Sequence, residues 1–145
     1  MKKFTHLLRV RYAECDGQQI VFNAKYAEYI DVAATEYTRH IWGSYQQVLE
    51  MGVDSQVVNL NISWQASAVF DDVLAISVST GHIGNSSYTL TFEIYNHETQ
   101  VLLANAEIVY VMVDTTNYNK MTIPADLKAQ LESGADGVCV NHAGA

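Results

Sequence analysis

A carboxylate and a helix start lie close together in this chain, and between them they could attack a carbonyl group. Asp16 follows the strand-like run Leu7-Leu8-Arg9-Val10-Arg11-Tyr12 and precedes Asn23, where an amphipathic helix is expected to open. The open N–H groups of a helix start carry partial positive charge and polarise a carbonyl oxygen. A carboxylate beside them can attack that carbonyl or activate a water against it. Strand, polar turn and helix in this order suggest acyl transfer or hydrolysis. Turn and capping aspartates are common, so spacing alone leaves Asp16 open to both readings. Asn23 likewise reads as an ordinary N-cap.

Other reactive side chains are less well placed. Cys15 has no histidine nearby in sequence to act as its base, and reads as a small buried residue. His6, His40, His82, His97 and His142 show no metal-ligand spacing, and Cys15 and Cys139 form neither a CxxC pair nor a disulfide framework. Glu28, Asp31 and Glu36 fall on the expected helix, where a solvated or interface face accounts for them; Asp31 is the best second carboxylate. Ser86 and Ser87 are turn residues or ligand contacts.

The elements that must position these groups follow from periodicity. Between Asn23 and Ile41, apolar residues recur at Tyr26, Tyr29, Ile30, Ala33, Ala34, Tyr37 and Ile41, which is helical spacing. Residues 6–13 read as a first strand and 44–51 as a second helix or turn. Val58, Leu60, Ile62 and Trp64 alternate with polar residues, as do Leu74, Ile76 and Val78, then Tyr88, Leu90, Phe92 and Ile94; a long run from Val101 to Val113 follows. Short turns between these runs favour antiparallel pairing. Pro124 suits the first turn of a helix over 125–132. The pattern is an α+β domain spanning 1–132, a curved antiparallel sheet around one long central helix, with a small, polar, mobile tail over 133–145.

Composition narrows the function. The chain has 145 residues, 49% hydrophobic, enough for one compact domain, and a net charge of −8. That balance argues against nucleic acid and anionic membranes as partners. No apolar run approaches the ~20 residues of a membrane span, and no signal-peptide core follows the N-terminus, so a soluble, cytoplasmic protein is expected.

The ordered set of motifs resembles the hotdog-fold acyl-CoA thioesterases of the 4-hydroxybenzoyl-CoA thioesterase superfamily. Tyr12, Asp16, Asn23, Tyr26 and Tyr29 match its strand-to-helix pattern. Phe70-Asp71-Asp72-Val73-Leu74 is similar to its third-strand entry, Gly84-Asn85-Ser86-Ser87-Tyr88 to its central hairpin, and Ala104–Asp114 with Ile123-Pro124-Ala125-Asp126-Leu127 to its closing segment. The resemblance implies hydrolysis of an acyl-CoA thioester, with Asp16 as nucleophile or general base and the backbone N–H of Asn23 as oxyanion donor. It implies no metal or redox cofactor. It also implies a homo-oligomer, a dimer of hotdogs or a tetramer, with sites at the subunit interface. Tyr26 and Trp64 suit a medium or aromatic acyl pocket, and core packing accounts for them equally well.

Two departures keep other classes open. Many relatives carry glycine where this chain has Gln19-Ile20, and the hairpin His82–Ser86 lacks the Lys or Arg that would meet coenzyme A phosphates. A non-catalytic acyl-CoA-binding module would share both features. A dehydratase would need a histidine with a carboxylate partner, and none lies between Asp16 and Tyr29.

Overall fold

The computed structural model describes residues 2–145. Strand β1 (Phe4–Arg9) leads into the site loop. Helix α1 (Lys25–Trp42) and helix α2 (Tyr45–Glu50) follow, then β2 (Val53–Trp64), β3 (Val73–Ile83), β4 (Ser87–Asn96) and β5 (Leu102–Asp114). Helix α3 (Ala125–Ser133) and a short β6 (Cys139–Asn141) close the chain. One six-stranded sheet runs β2-β5-β4-β3-β1-β6, antiparallel except where β6 lies parallel to β1. This is the α+β hotdog architecture that the sequence suggested. No helix among the described residues is long and apolar enough to cross a membrane.

The helical spacing predicts the packing. Tyr26, Tyr29, Ile30, Ala33, Ala34, Tyr37 and Ile41 are the buried face of α1. The alternating residues Tyr88, Leu90, Phe92 and Ile94 of β4 are buried as well and join the same core. Ala33 and Ala34 have no bulk beyond Cβ, so the sheet can approach the middle of the helix closely. Burying a side chain such as Ile30 or Phe92 contributes roughly 1.5–3 kcal/mol each.

Three boundaries differ from the sequence reading. First, β1 ends at Arg9 rather than running to 13, and Tyr12–Glu14 form a 3-10 turn. The cause is local: the Glu14 carboxylate turns back to accept from the Arg11 N–H at 2.8 Å, and such side-chain bonds compete with extended pairing. Second, α1 opens at Lys25 rather than Asn23. The Phe22 and Asn23 carbonyls accept from Lys25 and Tyr26, a tighter turn ahead of the first helical residue, and no side chain caps this end.

Third, the expected mobile tail over 133–145 is docked. Gly134 and Gly137 turn the chain at φ +63° and +85°, which favours glycine. Val138 then accepts from Thr5, β6 pairs with residues 5–7 of β1, and the His142 N–H reaches the Leu7 carbonyl at 2.9 Å. The outer edge of β1 would otherwise leave its backbone groups unpaired, and the tail satisfies them. His6 Nε2 lies 3.1 Å from His142 Nδ1, and the buried His6 Nδ1 has no hydrogen-bond partner. Composition misled here because backbone pairing, rather than apolar side chains, holds the segment.

The opposite edge is bare. Strand β2 pairs with β5 on one side only. A register shift lies between Val57 and Asn59. Val57, Val58 and Trp64 are 54%, 58% and 49% exposed.

Candidate active site

The loop from Cys15 to Phe22 is built largely by its own backbone. Asp16 and Ile20 share a hydrogen bond of 2.9 Å, Gln19 donates to the Asp16 carbonyl at 2.9 Å, and Cys15 bridges Val21. The Asp16 carboxylate accepts from the Gln18 N–H at 2.8 Å, a side-chain turn that sets its direction. Gln19 sits at φ +64°. Left-handed backbone costs a side-chain-bearing residue on the order of 1 kcal/mol, and a glycine here would relieve it. The geometry thus explains why glycine would suit a turn of this kind.

Asp16 and Asn23 line one cleft of about 300 Å³, together with Tyr26, Trp64 and Gln65. No acceptor for the N–H of Asn23 or of Ala24 occurs among the described residues. The Asn23 side chain is likewise no cap. Tyr26 is buried, and its hydroxyl accepts from the Ala68 N–H at 3.1 Å. Its ring meets Trp64 edge-on, with centroids 6.2 Å apart. Burial raises the Tyr26 hydroxyl above the ordinary tyrosine range. Tyr26 therefore acts as a wall held to the chain at residue 68, and Trp64 as the half-exposed rim.

Four of the site residues expected from sequence thus meet. Ser86 and Ser87 do not join them within one chain. Ser87 lies opposite Val111 on β5, whereas Trp64 lies opposite Ala104, about 23 Å away along that strand at ~3.3 Å per residue. The carbonyl of Ser86 accepts from Met112 at 2.8 Å, which is a turn role. Cys15 is half-buried against the core. No group of three or more His, Cys, Asp or Glu among the described residues could hold a metal ion.

Sequence reading missed a charged joint behind the loop. Glu14 is 5% exposed. Its carboxylate accepts from Arg11 Nε at 3.1 Å, Arg11 Nη2 at 2.8 Å and the Tyr29 hydroxyl at 2.9 Å, besides the Arg11 N–H. Burial alone would raise its pKa, but the bonds from Arg11 and Tyr29 hold it below the usual glutamate range. Burial and this carboxylate together push the Tyr29 hydroxyl far upward, so it stays a donor. The signal available was an Arg-x-x-Glu spacing just before the aspartate.

A second cavity, about 390 Å³, lies at the far end of α1. Trp42, Tyr45, Tyr88 and Tyr110 form much of its wall, with Asp31 at one side. Tyr88 and Tyr110 stack at 5.0 Å, and the Tyr88 hydroxyl donates to Ser55 at 2.7 Å.

Comparison with known proteins adds three findings. The model of the thioesterase superfamily matches residues 18–103, more than half of the chain, and opens just past Asp16. The acyl-CoA thioester hydrolase YbgC of Escherichia coli O6:H1 is 29% identical over 125 residues, 86% of this chain and 92% of that protein. The long-chain acyl-CoA thioesterase FadM of Escherichia coli K12 is 26% identical, covering 86% of this chain and 94% of that one. Among solved structures, a 1,4-dihydroxy-2-naphthoyl-CoA thioesterase from Synechocystis superposes with a TM-score of 0.80 at 21% identity, over 89% of this chain and 95% of that one.

Proposed function

This chain belongs to the thioesterase superfamily and is a thioester hydrolase, and on that premise we propose that it hydrolyses an acyl-CoA thioester to the free acid and coenzyme A. The observation that carries the reading is one cleft lined by Asp16 and by Asn23, whose N–H, just ahead of α1, has no acceptor among the described residues. Asp16 attacks the thioester carbonyl or takes a proton from an attacking water; both routes need its ionised form. The Asn23 N–H receives the developing oxyanion. The C–S bond then breaks and the coenzyme A thiolate leaves, taking a proton from solvent; where Asp16 itself attacks, this leaves a mixed anhydride on Asp16 that a water hydrolyses to the free acid and the regenerated carboxylate. The names of YbgC and FadM support acyl-CoA as the substrate class.

The working unit in this reading is a homo-oligomer whose basic pair joins at β2. That strand is a long free edge with exposed Val57, Val58 and Trp64, and it carries no Lys, Arg or Pro to repel a neighbour. Antiparallel pairing of two copies sets the Trp64 end of one against the Val53 end of the other. The second copy then brings its aromatic cavity, and the Ser86-Ser87 turn, towards the first copy's Asp16. The acyl group enters that cavity, and the serines line the substrate's path.

The test is thiol release from a panel of acyl-CoA thioesters. The parent should turn over at least one class, and Asp16→Asn should lose about 100-fold or more in kcat with the fold intact. Equal kcat for the two proteins would remove Asp16 from the chemistry. No turnover of any thioester by the parent, with acyl-CoA still bound, would favour a binding module.

A further inference from the structure

Among the described residues Glu14 is the only buried carboxylate, and the reaction above does not use it. A buried charge is retained at a cost unless its oxygens are fully answered, and these are: the N–H, Nε and Nη2 of Arg11 and the hydroxyl of Tyr29 all donate to them. The donors come from two places. Arg11 lies at the exit of β1, and Tyr29 lies on α1, one turn beyond the site wall Tyr26. The carboxylate therefore ties the entry of the Asp16 loop to the body of the helix.

The backbone of the same residue closes the other end of the loop. The Glu14 carbonyl accepts from the Phe22 N–H at 2.9 Å, immediately before Asn23. Both ends of the loop thus meet at Glu14, with Asp16 between them. The bonds of Asp16 itself all stay within the loop, to Gln18, Gln19 and Ile20. Asp16 has no hydrogen bond of its own to α1, so its placement against the helix start passes through its neighbours.

We infer that Glu14 is a positioning residue: clamped between Arg11 and Tyr29, it sets the distance between the Asp16 carboxylate and the Asn23 N–H just ahead of α1. The inference rests on Asp16 being the catalytic group. Misplacing a reacting group by about 1 Å can cost on the order of 100-fold in rate, so the clamp should act on kcat more than on binding.

The experiment compares Tyr29→Phe, Glu14→Gln and the double variant with the parent and Asp16→Asn. It reads kcat and KM for an acyl-CoA the parent hydrolyses, well below each melting temperature. Tyr29→Phe removes one hydroxyl and keeps the ring in the core; it should lower kcat about tenfold. Glu14→Gln should lower kcat about 100-fold. KM should stay within about threefold in both, and the double variant should lose less than the product of the two single losses, because Arg11 and Tyr29 hold the same carboxylate and both changes loosen one clamp. If Glu14→Gln fails to fold, Tyr29→Phe alone decides. A lower melting temperature with parental kcat would make the cluster purely structural and overturn the inference. Losses that multiply in the double variant would overturn it as well. Parental kcat in Asp16→Asn would instead overturn the catalytic reading beneath it; an inactive Asp16→Asn beside a fully active Glu14→Gln overturns only the positioning role.

Discussion

The two ends of helix α1 are finished differently. At its N-terminal end no side chain caps the helix, and the N–H groups of Asn23 and Ala24 have no acceptor among the described residues. At its C-terminal end the groups that turn the corner are paired. Gly43, at φ +90°, donates to Arg39. Ser44 and Gln47 exchange bonds of 2.8 and 3.1 Å in a capping box for α2, and Trp42 Nε1 reaches the Leu127 carbonyl at 3.2 Å. Unpaired donors cost stability in most settings. Here Asn23 lies on a cleft beside a carboxylate, whereas the paired end walls the aromatic cavity. In the proposed reaction one end meets the charge that appears on the substrate; the other holds shape.

The ends are about 27 Å apart at 1.5 Å per residue, so in a single chain they cannot share one substrate's reacting region. Breaking the pairing proposed at β2 should therefore have the largest effect of the three changes that follow. Val58→Lys places a charge on the exposed register shift of β2. It should convert dimers to monomers in sedimentation and lower kcat/KM more than tenfold; monomers with parental turnover would mean the site is complete in one chain. Next in size, Ala24→Asp sharpens the contrast by giving the bare end a negative group. Attraction to the helix dipole should add about 0.3–1 kcal/mol of stability. The same charge opposes the oxyanion, so kcat should fall about tenfold; a rise in both melting temperature and kcat would contradict the assignment of those donors. Smallest, Ser44→Ala at the finished end should cost about 1 kcal/mol in denaturant unfolding and leave kcat within twofold, since that cap serves structure alone. A kcat loss matching Ala24→Asp would erase the distinction between the ends.

Much of this fold was legible in sequence because its periods are clean. The 3.6-residue spacing over 26–41 identifies the buried face of α1, and the alternation over 88–94 identifies a strand with one face in the core. Asp16 and Asn23 were legible as a pair because only a short loop separates them. The Glu14 joint was not, since its partners are fixed by folding: Tyr29 reaches it only once α1 lies against the loop. Ser86 and Ser87 read as turn residues or ligand contacts, and the hairpin sequence alone does not say at which end of the sheet they fall. The tail misled for another reason. Small residues bury little surface, but a free strand edge recruits backbone from any sequence that can reach it.

That docked tail should make the sheet's last strand responsive to acid. His6 is 1% exposed, and burial followed by the neighbouring His142 lowers its pKa, with Glu36 opposing. A neutral pair shares one N–H···N bond, whereas two imidazolium rings would repel. Because the folded value lies below the unfolded one, the contribution of His6 to stability is complete above the ordinary histidine range near 6.5 and drains away as pH falls through its lowered value. Protons should then act as a solvent-borne release agent for residues 139–142 while the rest of the sheet holds. Hydrogen exchange at the His142 amide, corrected for its intrinsic pH dependence, should quicken as pH falls below the ordinary histidine range, ahead of amides in β4; parallel loss at both places would show that acid opens the whole domain and not its seam.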